Sequence, residues 1–206
     1  MLSLSRVLSM TFDSSSLFLD NSFAFRTDKG KPSFFQEIRN MGSVKMLLYV
    51  NWIPSLQTIS RTRLLAKLRP WLPNPFIENF ILSFLSLSIL DEDQRDWSTD
   101  SGIPPVGLLT FVLFHFFLDD FDRAIVHRFP YSYVRFLNKA FLAIPTKANV
   151  VPAELISDIL GELSLSAKRI YVVPGGSPIS IPDLNGVVSV DDDGLIHFVE
   201  KENGNQ

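Results

Sequence analysis

The chain of 206 residues has no cysteine and only three histidines, His115, His127 and His197, none close to another in sequence. Without Cys there is no disulfide framework, no thiolate metal site and no thiol nucleophile. Three scattered imidazoles leave little material for a His-based metal cluster. Long apolar runs are also missing. A stretch such as "LLTFVLFHFFL" falls well short of the roughly 20 residues that span a bilayer, so a soluble protein with no membrane partner is expected. What is abundant is hydrophobic bulk: 46% of residues are hydrophobic and 18 are Phe. That is too apolar for a solvated linker and enough to build one sizeable core.

Net charge is −3, with Lys and Arg concentrated early. Residues 1–90 hold ten Lys/Arg against five Asp/Glu, and residues 91–206 hold nine against seventeen. The basic half is the better candidate for a polyanion face, the alternative being ordinary solvated surface. The opening "MLSLSRVLSMTF" is Ser-rich, with one Arg and no acid. It suits either the start of an organellar transit peptide or a packed helix.

Along the chain, "SFFQEIRNM" reads as a short helix opened by Pro32 and Ser33, and "KMLLYV" as a buried strand. "SRTRLLAKLRPWL" is a helix with Ser60 as its N-cap and Arg61, Arg63, Lys67 and Arg69 along one side. "FIENFILSFLSLSIL" is a further helix, and acidic "DEDQRDWSTDSG" a turn or hairpin. "GLLTFVLFHFFLDDFDRAIVHRF" is a long buried helix turning polar at Asp119. "YVRFLNKAFL" is a hairpin turned at Asn138 and Lys139. A helix "PAELISDILGEL", a strand "AKRIYVV", a loop "PGGSPISIPD" and a hairpin "NGVVSVDDDGLIHFVEK" turned by Asp193 and Gly194 complete the chain. Strands and helices mix without regular alternation, which implies α+β, an antiparallel sheet with helices on one face.

Several motifs carry no chemistry on inspection. "LDDFD" offers Asp119, Asp120 and Asp122, but helical spacing spreads Asp119 and Asp120 by about 100°, and a solvated helix end is the expected reading. "DDDG" lacks the alternating ligands and terminal Glu of a calcium loop. "PGGSP" lacks the Lys-Ser/Thr and the following helix of a phosphate-binding loop.

The succession "NSFAFR", "YVNWIPSLQTI", "SGIPPVGLLTFVLFHFFLDDFD", "YVRFLNKAFL" and "LSLSAKRI" resembles the palm and inner fingers of group II intron reverse transcriptases, the intron maturases, and especially the diverged maturases of plant mitochondria. The resemblance covers residues 7–175. It implies a reverse-transcriptase palm-like sheet with partial fingers over 1–40, a degenerate palm over 41–175, a C-terminal β-hairpin and polar tail over 176–206, and no thumb.

Carried over by position, the resemblance implies lost catalysis. Where the family opens its first palm motif with Asp, this chain has Asn51; where the family has Pro-Gln-Gly, it has Pro104, Pro105 and Val106. The Tyr-x-Asp-Asp hairpin becomes Phe136, Leu137, Asn138 and Lys139. The family's carboxylates clamp two cations on the reacting phosphate; an amide is a weak ligand, and Lys139 puts positive charge where a cation would sit. No cofactor and no enzymatic activity are therefore expected. An active RNA-directed DNA polymerase is a minor alternative.

What the resemblance leaves is a non-catalytic mitochondrial protein that binds group II intron RNA and assists splicing. The candidate RNA-binding residues are Arg26, Lys29, Lys31, Arg61, Arg63, Lys67, Arg69, Arg135, Lys139, Lys168 and Arg169. The competing expectation is a structural fragment, half of a split maturase or part of a ribonucleoprotein, whose exposed palm surface a protein partner covers.

Overall fold

The computed structural model describes residues 18–26, 28–52, 55–72, 74–87, 101–129, 132–145, 152–163, 165, 169–176, 178–181 and 185–200. Two antiparallel sheets form within them. The first has strand order β2-β3-β1-β4, from β1 (Met46–Asn51), β2 (Tyr133–Phe136), β3 (Lys139–Ile144) and β4 (Arg169–Pro174). The second has order β5-β6-β7, from β5 (Ile179–Ile181), β6 (Gly186–Val190) and β7 (Ile196–Glu200). The chain is thus α+β.

β1 reads as an unbroken apolar run because both of its faces are covered. Leu48 and Val50 enter one hydrophobic core, and Leu47 and Tyr49 enter another. Four helices supply the first core: α3 (Arg61–Leu68), α4 (Pro75–Leu85), α5 (Gly107–Arg128) and α6 (Pro152–Glu162). The short turn of helix α2 (Ser55–Thr58) adds Leu56. α1 (Lys31–Arg39) and the second sheet supply the other core, through Phe34, Phe35, Ile38, Val188 and Phe198. Helices on a single face therefore describe only half of the packing; the opposite face carries a helix and a second sheet. "PGGSPISIPD", read as a loop, contains β5.

Local chemistry accounts for the helix starts. Ser60 Oγ accepts from the Arg63 amide at 3.2 Å, and Asn74 Oδ1 accepts from the Ile77 amide at 3.1 Å, each satisfying an otherwise unpaired donor of the first turn. α1 begins two residues before Ser33, capped by Gly30 with Ser33 Oγ bonded to it in both directions. α5 is buried continuously from Val112 to Asp119, because the sheet covers one side and α3 and α6 the other. A bidentate Arg128–Glu162 pair at 2.6–2.8 Å ties its end to α6. No helix among the described residues is long and apolar enough to cross a membrane.

One glycine helps key the second sheet to the first. Gly194 has φ +81, and an added Cβ would lie 2.4 Å from Ser43 Oγ and 2.8 Å from Val44 O. Only glycine fits a left-handed turn pressed this close to another segment. The approach lets the Val44 amide donate to Gly194 O at 2.9 Å and Ser43 Oγ to Asp193 O at 2.7 Å, which docks the β6–β7 turn against the lead into β1.

Candidate nucleic-acid interface

Three residues from two distant segments meet at one end of the first sheet. β1 ends at Asn51, which faces Lys139 in the β1–β3 register and Arg169 in the β1–β4 register. The β2–β3 turn is Leu137–Asn138, so Lys139 is the first residue of β3 rather than a turn residue. Asn138 Nδ2 donates to Asn51 Oδ1 at 2.7 Å, and the Trp52 amide donates to Asn138 O at 2.9 Å. Asn51 is 3% exposed and Asn138 5%. Two carboxylates at this separation would repel one another unless a cation lay between them. Two amides bond directly. The expected turn at Asn138 is thus also a buried clamp on the end of β1. Pro104, Pro105 and Val106 lead into α5, with Val106 as its N-cap and the Thr110 hydroxyl donating to the backbone there.

The turn has its own brace. Leu137 adopts φ +54, a left-handed conformation that costs a non-glycine residue roughly 1–2 kcal/mol, and Arg135 Nη1 donates to its carbonyl at 2.7 Å. Arg135 was expected at an RNA surface, and the structure corrects this: it is 0% exposed. Its guanidinium binds Asp122 through two hydrogen bonds, the Nε–Oδ1 contact at 2.7 Å, while Tyr133 Oη donates to the same carboxylate at 2.6 Å. Burial disfavours the Arg135 charge, but the Asp122 charge and hydrogen bonds outweigh it and hold the pKa above its ordinary value.

His115 completes this buried network. Arg135 Nη1 lies 2.9 Å from Nδ1, and Ser22 Oγ 3.1 Å from Nε2. A guanidinium can only donate, so Nδ1 is the acceptor and the Nε2–H tautomer is assigned, donating to Ser22. Burial and then the neighbouring Arg135 charge push the His115 pKa well below 6.5. Burial and the Asp122 charge push that of Tyr133 well above 10.0. The reading of "LDDFD" as a solvated helix end is overturned with it, since Asp119 is 1% exposed and Asp122 0%.

Most of the expected RNA-binding cations are held by the fold itself. Lys67 lies 2.8 Å from Asp120 and 3.6 Å from Asp119, and donates to Phe116 O. Arg63 pairs with Asp120 at 3.1 Å, Arg69 with Glu78 at 2.9 Å, and Arg61 Nε donates to Gly102 O at 2.8 Å. Arg26 reaches Asp28 at 3.4 Å, and Lys29 reaches Asp20 at 3.2 Å; the Lys29 hydrogen bond and charge hold the Asp20 pKa below its usual value. The charge asymmetry of the sequence therefore pairs off, basic α3 against acidic α5. Lys168 lies outside the described residues, as does most of "DEDQRDWSTDSG".

Lys31 is exposed at the start of α1, its ammonium 5.5 Å from the Phe35 ring centroid. It shares a pocket of about 260 Å³ with Pro32, Phe35, Arg39 and Phe198. Arg39 was not singled out from the sequence, although Lys31, Phe35 and Arg39 recur at i, i+4 and i+8 of one short helix. A larger cleft of about 450 Å³ on the other flank of α1 is lined by Asp20, Asp28 and Glu37 beside Lys29, a poor seat for a polyanion.

Compared with known proteins, the chain matches no family model and no curated sequence.

Proposed function

We propose that the chain is a non-catalytic, maturase-like protein that binds group II intron RNA and assists its splicing in mitochondria, built on a palm-like sheet. The observation that carries this reading is the meeting of Asn51, Asn138 and Lys139. These three positions, singled out by the resemblance and separated by 87 residues between the two Asn, lie within hydrogen-bond or register contact at one end of an antiparallel sheet. At that place an amide pair and an ammonium stand where the resemblance expects metal-binding carboxylates. A ribozyme that cuts its own RNA needs no carboxylates from a protein that stabilises its fold.

The test is affinity of the purified chain for a folded group II intron RNA and for an unrelated structured RNA of equal length across a salt series. Preference for the intron with a steep salt slope is expected. Equal, feeble binding to both would overturn the reading.

A second reading has its own observation. On α4, Phe76 is 73% exposed and Phe80, one turn later, 47%, with Leu87 just beyond at 44%. Such a stripe favours a partner-dependent fragment within a larger ribonucleoprotein. Its signature would be aggregation of the isolated chain, relieved by co-expression with that partner.

A further inference from the structure

We propose that residues 18–26 form a strap on the outer edge of β2, which acid releases by protonating His115 while both sheets stay folded. The inference is independent of the RNA-binding reading, because it concerns a device built into the fold.

The strap meets β2 through an isolated bridge, Ser22 beside Arg135. The Phe23 amide donates to Arg135 O at 2.9 Å, the Arg135 amide to Asn21 O at 2.8 Å, and Asn21 Nδ2 to Tyr133 O at 3.0 Å. Within the strap, Arg26 Nη1 donates to Phe18 O at 3.4 Å and to Leu19 O at 3.3 Å, and the Ser22 amide donates to Leu19 O at 3.0 Å. A segment braced in this way opens as one unit. His115 is the post to which it is fastened. The Phe18 and Phe25 rings meet the imidazole at 73° and 77°, with centroids 4.4 and 5.5 Å away, and Ser22 Oγ, buried beside it, accepts from Nε2. Phe18 enters the first core and Phe23 the other, and their burial keeps the strap shut while the ring is neutral.

Protonation sets the two halves of this fastening against each other. Nδ1 accepts from Arg135 Nη1 at 2.9 Å, so a proton added there would turn N–H against N–H and place two cations in contact inside a low-dielectric core. The surrounding charges oppose the imidazolium further: Arg135 on β2, Lys67 on α3 and Arg26 on the strap all repel it. On α5 itself, Asp122 is engaged by Arg135 and Tyr133, and Asp119 by Arg123 and Lys67. One side must yield. Arg135 is forked onto Asp122 and also holds Leu137 O, and such charge-assisted bonds are about twice as strong as neutral ones. Ser22, Phe18 and Phe25 hold the ring by neutral contacts, so the imidazolium turns from Arg135 and the strap gives way first. Its departure bares the outer edge of β2 at Arg135.

The experiment is amide hydrogen exchange of the full chain, resolved by NMR at about pH 7.5 and about pH 5 and corrected for intrinsic rates. The Phe23 and Arg135 amides, which bond across the seam between strap and β2, are expected to lose about tenfold in protection at the lower pH. An ordinary imidazole pKa of about 6.5 in the released strap allows at most about thirtyfold over that range. The amides of β1, a central strand, are expected to keep their protection. His115→Gln, whose side-chain amide can accept from Arg135 and donate to Ser22 without titrating, is expected to leave the seam equally protected at both pH values. In the unmodified chain the C2 proton of His115 should titrate in step with the opening, a readout that stands whether or not the variant folds. Four results would each overturn the proposal: a seam indifferent to pH, acid loss shared equally by β1, acid loss retained in His115→Gln, or a His115 ring that titrates while the strap stays shut.

Discussion

Arg135 is a surface cation by composition and a buried one by position. It sits in a four-residue strand whose neighbour across the core is α5, and Asp122 on that helix meets it with two hydrogen bonds. Removing one partner of a buried pair strands the other charge in a low-dielectric interior. Arg135→Met should therefore lower unfolding free energy by roughly 3–5 kcal/mol, measured by urea denaturation, whereas Arg69→Met, whose pair with Glu78 is 61% exposed on the Arg side, should cost less than about 1 kcal/mol. His115 adds a pH dependence. Its folded pKa lies below the ordinary 6.5, so the unfolded chain binds more protons below that pH and protonation favours unfolding. Stability is full above about pH 6.5 and falls as pH drops below it. His115→Gln should reduce the slope of stability against pH between about 5 and 6.5, read by thermal melts in matched buffers.

Elements differ in how far the sequence discloses them. Ser60 announces α3 because a cap acts within three residues. The burial of Asp119 and Asp122 is not legible in "LDDFD", because what decides it is Lys67 and Arg135, brought in by other elements. Periodicity sees a polar residue and cannot see its partner. The same limit hid β5, three residues long in a Pro- and Gly-rich stretch and held by pairing with β6. The end of β1 is the opposite case. Motif order singles out Asn51 and Asn138, and their side chains are hydrogen-bonded. The amide pair predicts a response to charge: Asn51→Asp/Asn138→Asp would place two carboxylates in a nearly closed space. That variant should melt several degrees below the unmodified chain without divalent cations and recover in millimolar Mg²⁺ or Mn²⁺, while the unmodified chain should be indifferent to both. Melting temperatures that track together would contradict the geometry.

Across the whole molecule, charge and apolar surface are arranged differently from what the chain's halves suggest. The basic half pairs much of its charge internally, while Lys31 and Arg39 on α1 stay exposed. The apolar surplus emerges on α4, where Phe76→Ser/Phe80→Ser should suppress concentration-dependent self-association in sedimentation while changing stability little, since both side chains are exposed. Retained self-association would place the sticky surface elsewhere.

The central claim is that this chain helps an intron splice without performing chemistry itself. The most direct measurement is the rate at which a group II intron RNA splices at limiting Mg²⁺ with and without the purified chain, using Lys31→Ala/Arg39→Ala in parallel. The account predicts faster splicing with the chain and a clear loss of that effect in the double variant. Splicing that is no faster at protein concentrations where the RNA is fully bound would contradict it.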